Sequence, residues 1–288
     1  MHNDNWDDIR FVLAVVESGT VSGAARRLGV NHATVLRRIA SFEERYGVRI
    51  FDKSAQGYEI IPEYARITDA LRGVEESMHF MEAALAGQNS QVQGALRLTS
   101  TDSLSSIVLP EVVANITADF PELRLTVIST NSHLDLGRAQ VDLAIRPTDQ
   151  LPETYSGDLV GYLPFAIYEA EGGQDAWVGL TGQIARGTVG QEVTAHIAGQ
   201  KIAAKADTYL VAARLARQGI GRTALPCFVG DVESGLRRVD IDCALPSIPL
   251  WVACHTELQD APRVRRLRAR MVDEMKTAAI KTKGLLPA

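Results

Sequence analysis

Residues 20–39, TVSGAARRLGVNHATVLRRI, constrain the fold of this chain more than any other stretch. Trp6 to Ser18 reads as a first helix, with Ile9, Phe11, Val12, Val15 and Val16 on one apolar face, and Gly19 stops it. Thr20 then serves as an N-cap, because its hydroxyl can accept an orphan N–H of the next turn. A second helix over Val21–Leu28 turns Ala24, Ala25 and Leu28 inward. Gly29 stands where the chain must go left-handed, a conformation that costs glycine least. Asn31 caps a third helix running to about Tyr46, with Val35, Ile39 and Phe42 on its buried side. Small residues let the second helix lie close to the third. This is the plan of a helix-turn-helix, whose third helix is sized for the major groove of DNA.

The charge distribution agrees with that plan. The 288 residues carry a net charge of −5 and a pI near 5.7, which argues against indiscriminate coating of nucleic acid. Between Ala24 and Ile50, however, six arginines (26, 27, 37, 38, 45 and 49) face two acids, Glu43 and Glu44. Phosphates respond to local charge across a Debye length of about 8 Å. The outer face of the third helix offers His32, Ala33, Thr34, Leu36, Arg37 and Arg38 behind the cap Asn31. Val48–Phe51 and Gly57–Ile61 read as a two-stranded wing with Lys53 at its tip, placed for a phosphate.

Pro62 can open a long helix. Tyr64, Ile67, Leu71, Val74, Met78, Met81 and Leu85 then repeat at alternating spacings of 3 and 4, a heptad pattern expected of a dimerising coiled coil. The alternative for the same residues is a helix packed on its own domain. GQNSQVQG, residues 87–94, reads as a hinge. Beyond it strands and helices alternate: ALRLTS, a helix over Ser106–Asp119, LRLTVIS, a short helical stretch near Leu134–Arg138, DLAIRP, LPFAIYEA, WVGL, a helix over Thr208–Gln218, TALPC, PLWVACH and a last helix over Val264–Thr277. That alternation predicts an α/β domain with largely parallel sheets.

Several function classes find no support. The acidic start lacks the basic-then-apolar order of a signal peptide, and no run nears the roughly 20 apolar residues of a membrane span, so a cytoplasmic protein without membrane contact is expected. Cys227, Cys243 and Cys254 are odd in number and widely spaced, as ordinary reduced thiols would be; a redox pair of Cys227 and Cys243 is the alternative. The six histidines lack ligand spacing, and no P-loop, HExxH or GxSxG occurs, so neither catalytic residues nor a metal nor any cofactor is expected. GIGRTA, residues 219–224, mimics a dinucleotide fingerprint but follows a helical stretch, the wrong order. NIT at 115–117 is a glycosylation sequon without a secretory context.

The N-terminal stretch resembles the LysR-type transcriptional regulators. Trp6, Phe11, Ala14, Val15, Gly19, Ala24, Ala25, Leu28, Gly29, Val30, Val35, Arg37, Ile39, Glu43, Gly47 and Phe51 carry the resemblance over residues 6–61. GALRL, FPELRLTV, DLAIR and GIGRTALP follow in the family's order. The chain departs from the family at Asn31-His32-Ala33, at Leu36 and at IIPEYA.

The resemblance implies a winged helix-turn-helix domain over residues 1–61, a linker and dimerisation helix over 62–86, a hinge over 87–93 and an effector-binding domain over 94–288. That last domain would be a two-lobed α/β fold like a type 2 periplasmic binding protein, with lobe one at about 94–163 plus 253–288 and lobe two at about 164–252. It places His32, Ala33, Leu36 and Arg37 on base edges, with Lys53 in the wing and Thr34 and Arg38 on phosphates. Arg37 suits a guanine O6/N7 pair, and Ala33 or Leu36 a thymine methyl. It places an effector at Ser100, Thr101, Asp102 and Ser103, a turn suited to an anion apart from Asp102 itself. Facing loops would add Ser129, Thr130, Asn131, Arg146 and Thr148, and the second lobe Asp207, Thr208 and Arg222. Ile67, Leu71, Val74, Met78, Met81 and Leu85 would line the dimer seam. The implied partners are a double-stranded DNA operator, a small-molecule effector, a second copy in a homodimer or homotetramer, and RNA polymerase if the chain activates. The competing expectations are a small-molecule-binding protein or enzyme with an accessory helical domain, and a regulator that no longer senses a ligand.

Overall fold

The computed structural model describes residues 7–54, 57–68, 70–71, 74, 92–131 and 141–288. The chain divides into two compact units, Met1–Glu82 and Ala83–Ala288.

In the first unit, α1 (Asp7–Ser18), α2 (Val21–Leu28) and α3 (His32–Tyr46) form where the caps place them. Thr20 Oγ1 accepts the Gly23 N–H at 3.0 Å. Gly29 takes φ 66°, and the Val30 N–H closes on the Ala25 carbonyl at 3.0 Å. Asn31 Oδ1 accepts the Thr34 N–H at 2.8 Å. Val12, Leu13, Val15, Ala24, Val35, Ile39 and Phe42 bury together as the core of the three helices. Replacing Thr20 with alanine leaves that donor uncapped and costs about 1 kcal/mol; hydrogen exchange of α2 amides should speed by about fivefold while exchange in the second unit stays unchanged.

The wing's first strand starts later than the expected Val48. Strands β1 (Phe51–Ser54) and β2 (Gly57–Ile60) pair antiparallel, with Phe51 opposite Ile60 and Lys53 opposite Tyr58. Val48–Ile50 lie outside the β1–β2 ladder, although the Ile50 carbonyl still accepts the Ile61 N–H at 2.9 Å, and the N–H groups of Val48 and Ile50 go to Glu43. The Val48 N–H caps α3 at the Glu43 carbonyl, and the Glu43 carboxylate accepts from the N–H groups of Ile50 and Phe51. Gly57, at φ 141°, passes so close to the Gly19 carbonyl that a Cβ would collide with it, and the Tyr58 N–H bonds that carbonyl at 2.9 Å. The wing is thereby seated on the α1–α2 turn.

After the 3-10 turn Pro62–Tyr64 the chain is helical at 65–68, 70–71 and 74. Leu71 is buried, and Tyr64 and Ile67 pack against the same core as α1–α3. These three heptad positions thus pack at least in part on their own unit. Val74 is half-buried; Met78, Met81 and Leu85 lie outside the described residues, as does the expected helical stretch near Leu134–Arg138.

The second unit has two lobes. In the first, a six-stranded sheet runs in the order β13-β6-β12-β5-β3-β4. Its strands are β3 (Gly94–Ser100), β4 (Leu123–Ser129), β5 (Leu143–Pro147), β6 (Tyr155–Leu163), β12 (Ile248–His255) and β13 (Leu286–Pro287). Helices α4 (Asp102–Ile107) and α5 (Leu109–Asp119) follow β3, and α9 (Pro262–Lys281) follows β12. In the second lobe β7 (Phe165–Glu169) pairs with β10 (Thr223–Pro226) and β11 (Arg237–Val239), and β8 (Trp177–Leu180) with β9 (Ile202–Ala206). Helices α6 (Thr188–His196), α7 (Tyr209–Arg217) and the single turn α8 (Cys227–Gly230) complete it.

Three sequence expectations need correction. The sheets are mixed: β3 pairs parallel with β4 and β5, but β12 runs antiparallel to β5 and β6. The chain leaves the first lobe at Pro164 and returns to it, so the returning strand enters from the opposite end. That return lies before Ile248, since the whole of β12 belongs to the first lobe's sheet; the second lobe therefore does not extend to 252. The helix expected over 106–119 is two helices meeting at Val108, because Pro110 in the first turn of α5 lacks the N–H that a continuous helix would use.

Candidate nucleic-acid interface and ligand cleft

The exposed side of α3 is short and sharply sorted. His32, Ala33 and Arg37 are exposed, Thr34 and Leu36 are half-buried, and Leu36 also packs against the core. Asn31 is exposed at the helix start, where its side-chain oxygen also accepts from the Thr34 hydroxyl at 2.9 Å. Lys53 lies within β1 next to the wing's turn.

The arginines, equivalent in the sequence, separate in three dimensions. Asp8 on α1 is fully buried, and it receives Arg38 at 3.2 Å, Arg45 at 3.3 Å and the Ser41 hydroxyl at 3.4 Å. The Arg38 guanidinium also lies 5.8 Å from the centre of the Phe11 ring. Arg38 is therefore turned inward, as a clamp of α3 on α1, and is not the free phosphate anchor that the resemblance implied. Arg27 pairs with Glu17, and Arg49 with Asp52 at 3.6 Å. Among the described residues, Arg26 and Arg37 have no ion pair. Arg37 is thus the cation that α3 holds in the open. Asp8 was missed in the sequence because one acid in a first turn reads as an ordinary dipole partner.

Between the lobes of the second unit lies a cleft of about 300 Å³. Five of the sequence-expected residues line it: Thr101, Ser103, Asn131, Arg146 and Thr148. The rest do not. The Ser100 hydroxyl is buried and donates to the Ile145 carbonyl at 2.9 Å, tying β3 to β5. The Asp102 carboxylate accepts the Ser103 N–H at 2.7 Å, and the Thr130 carbonyl accepts from Arg146. Thr208 is the N-cap of α7, taking the Val211 N–H at 3.1 Å, and its neighbour Asp207 is exposed outside the cleft. Arg222 is held by Asp175 at 2.5 Å over the Trp177 ring, and Ser129 is likewise not part of the lining.

The wall facing Arg146 comes from the second lobe and was not foreseen. It consists of the loop bearing Gln183 and Arg186, the first turn of α6 from Thr188 to Gln191, and Tyr209. Gly190 makes this wall: a side chain there would collide with the backbone of Ile184 and Ala185, so only glycine lets α6 lie against its own loop. Tyr209 and Phe165 pack with ring centres 5.5 Å apart. Burial, with the charge of Asp102 added, pushes the Tyr209 hydroxyl well above its usual range, so it stays a neutral donor. Across the mouth, the Thr188 hydroxyl donates to the Asp149 carboxylate at 2.5 Å and links the lobes. The run GTVGQ, the cap and first turn of α6, was the one signal that could have revealed this wall.

Arg146 forms the floor. It is 6% exposed, donates to Thr99 Oγ1 at 2.8 Å and to the Thr130 carbonyl, and leaves its buried Nε without a partner. Burial lowers its pKa to about 10, against a smaller opposing influence of Tyr155. Elsewhere, the three cysteines are free, and burial pushes each thiol up, away from the reactive thiolate. Among the described residues there is no metal-ligating cluster, and no helix is long and apolar enough to cross a membrane.

Comparison with known proteins matches both units. The model of bacterial regulatory helix-turn-helix proteins of the lysR family covers residues 6–70, and that of the LysR substrate binding domain covers residues 89–276. A probable hydrogen peroxide-inducible genes activator from Mycobacterium xenopi is 33% identical over 120 residues, spanning 42% of this chain and 64% of that protein. The Mau operon transcriptional activator of Paracoccus denitrificans is 23% identical over 272 residues, 91% of this chain and 94% of that one. A full-length OxyR variant from Pseudomonas aeruginosa has the same fold, with a TM-score of 0.65 at 15% identity over 96% of both chains. So does full-length CbnR complexed with its target DNA, with a TM-score of 0.61 at 16% identity over 96% of this chain and all of that one.

Proposed function

The chain belongs to the LysR family of bacterial transcriptional regulators, a DNA-binding helix-turn-helix domain joined to an effector-binding domain, and from that premise we propose how its own residues divide the work. The α3 face reads the operator through His32, Ala33, Leu36 and Arg37, with Asn31 and Lys53 on the adjoining backbone. Arg37 forks onto guanine O6 and N7, and Ala33 or Leu36 meets a thymine methyl. Thr34 and Arg38 act one step back, as cap partner and clamp. The observation that carries this assignment is the sorting of the arginines: an exposed Arg37, without an ion pair among the described residues, beside an inward-turned Arg38.

A homo-oligomer presents paired recognition helices to a pseudo-palindromic site, so that half-site spacing mirrors the symmetry of the protein. Met78, Met81 and Leu85, with Val74, continue the seam between copies. A small molecule in the cleft of the second unit, touching Thr101, Asn131, Arg146 and Thr148, shifts the oligomer between arrangements that differ in affinity for DNA. RNA polymerase is the further partner where the regulator activates, and the working compartment is the cytoplasm.

Fluorescence anisotropy on the DNA upstream of its own coding region, over a salt series, tests the reading. Log affinity should fall linearly with log salt at a slope of about −3 or steeper, since each neutralised phosphate contributes about −0.9. A flat salt response on every genomic fragment would sink it.

A further inference from the structure

The helix-turn-helix holds two arginine doublets, Arg26-Arg27 in the last turn of α2 and Arg37-Arg38 within α3. Both are sorted in the same way. The second arginine of each doublet is taken by a carboxylate of α1: Arg27 by Glu17, and Arg38 by Asp8 at 3.2 Å. The first arginine of each is exposed and has no ion pair among the described residues. Successive residues on a helix point about 100° apart. A second arginine that reaches α1 therefore leaves the first turned to another flank. On α2 the buried face is fixed by Val21, Ala24 and Ala25, and Arg26 lies outside it, one turn on from the exposed Ser22. Arg26 thus stands on α2 as Arg37 stands on α3, away from the helix that holds its neighbour. Exposure alone assigns an arginine nothing, since water solvates it well. The place of Arg26 says more. The first helix of a helix-turn-helix crosses the phosphate backbone while the second enters the groove. Moreover, α2, VSGAARRL, carries no carboxylate that would oppose a phosphate.

Resting on the operator reading of α3, we infer that Arg26 is a phosphate anchor, its guanidinium meeting a backbone oxygen beside the groove that α3 enters. A phosphate contact strengthens binding to any sequence and fixes the register in which base-reading side chains meet their edges. The two doublets then divide one task. Their first arginines face the DNA, Arg26 on phosphate and Arg37 on a base. Their second arginines, Arg27 and Arg38, tie α2 and α3 to α1 through Glu17 and Asp8. One residue of each pair builds the unit and the other uses it.

Anisotropy titrations of the full chain over a salt series test this with two probes: the genomic fragment that the unaltered protein binds tightest, and a scrambled duplex of the same length. Arg26→Ala should make the slope of log affinity against log salt shallower by about 0.9 for each DNA-bound subunit. Affinity at about 0.1 M salt should fall about eightfold per subunit, and equally on both duplexes. Arg26→Lys should keep the slope, because phosphate accepts a lysine as a point charge. Arg27→Ala is the control. It removes the same charge one residue along, but from a side chain already held by Glu17, so its slope should change by less than about half as much. Arg26→Ala with an unchanged slope overturns the anchor. So does an Arg27→Ala loss equal to that of Arg26→Ala, which would reduce both to net charge. A loss confined to the tight-binding fragment would place Arg26 on a base and overturn the phosphate assignment. An unaltered protein whose affinity for every fragment is flat in salt sinks the operator reading itself, so the two failures are told apart.

Discussion

Replacing Arg37 with alanine should remove about 1–3 kcal/mol of discrimination between operator and unrelated DNA, because a forked guanidinium on guanine is worth that much against the wrong base. The loss should fall on sequence preference, with the salt slope changing by no more than about 1. Stability should be unaffected, since Arg37 is exposed and pairs with nothing in its own unit among the described residues. Competition titrations with operator and scrambled DNA measure both quantities at once. Arg38→Ala makes the contrast. It should weaken binding to both DNAs alike, because what it removes is the hold of α3 on α1. If Arg38→Ala relaxed specificity at a single base position while Arg37→Ala did not, the assignment of roles to the two neighbours would be reversed.

The largest loss of stability is expected at Asp8. Its carboxylate has no exposure, and it holds Arg38, Arg45 and Ser41 together. Removing one partner of a buried ion pair costs about 3–5 kcal/mol when the remaining charge stays buried. Here the two arginine side chains are each 28% exposed and can turn partly to water, so Asp8→Ala should cost about 3 kcal/mol. Hydrogen exchange reads this better than a global melt, because the chain has two units and need not unfold as one. Amides of α1 and α3 should exchange about a hundredfold faster, and those of the second unit should not change. Asp8→Asn, which keeps the shape and some of the hydrogen bonds, should fall between. Equal exchange in all three proteins would show that the clamp contributes nothing.

The helices of the first unit were legible because their signals are local. Thr20, Gly29 and Asn31 each act within one turn of their own position, and cap geometry needs no information from elsewhere in the chain. The wing was half legible. Its strands showed as apolar runs, but the competing use of the Val48, Ile50 and Phe51 N–H groups by α3 was not visible in the runs themselves. Strand β6, YSGDLVGYL, was missed altogether. Its two glycines and unalternating burial hide a strand whose environment is set on both sides by partners distant in sequence.

For the sites the same boundary holds. By itself the sequence determined that a capped, small-residue helix pair would present a basic third helix and that an α/β region would follow; the cleft residues came from the family resemblance, and of the twelve it implied only Thr101, Ser103, Asn131, Arg146 and Thr148 line the cleft. Only the tertiary structure decided which arginine of α3 stays in the open, because that turns on Asp8 lying 30 residues away from Arg38. Only the tertiary structure set α6 and Arg146 on one cleft, with Thr188 reaching Asp149, 39 positions earlier in the chain. Caps and periodicity are short-range and are written in neighbouring residues. Charge pairing and burial depend on what folding brings near, and no spacing along the chain encodes that distance.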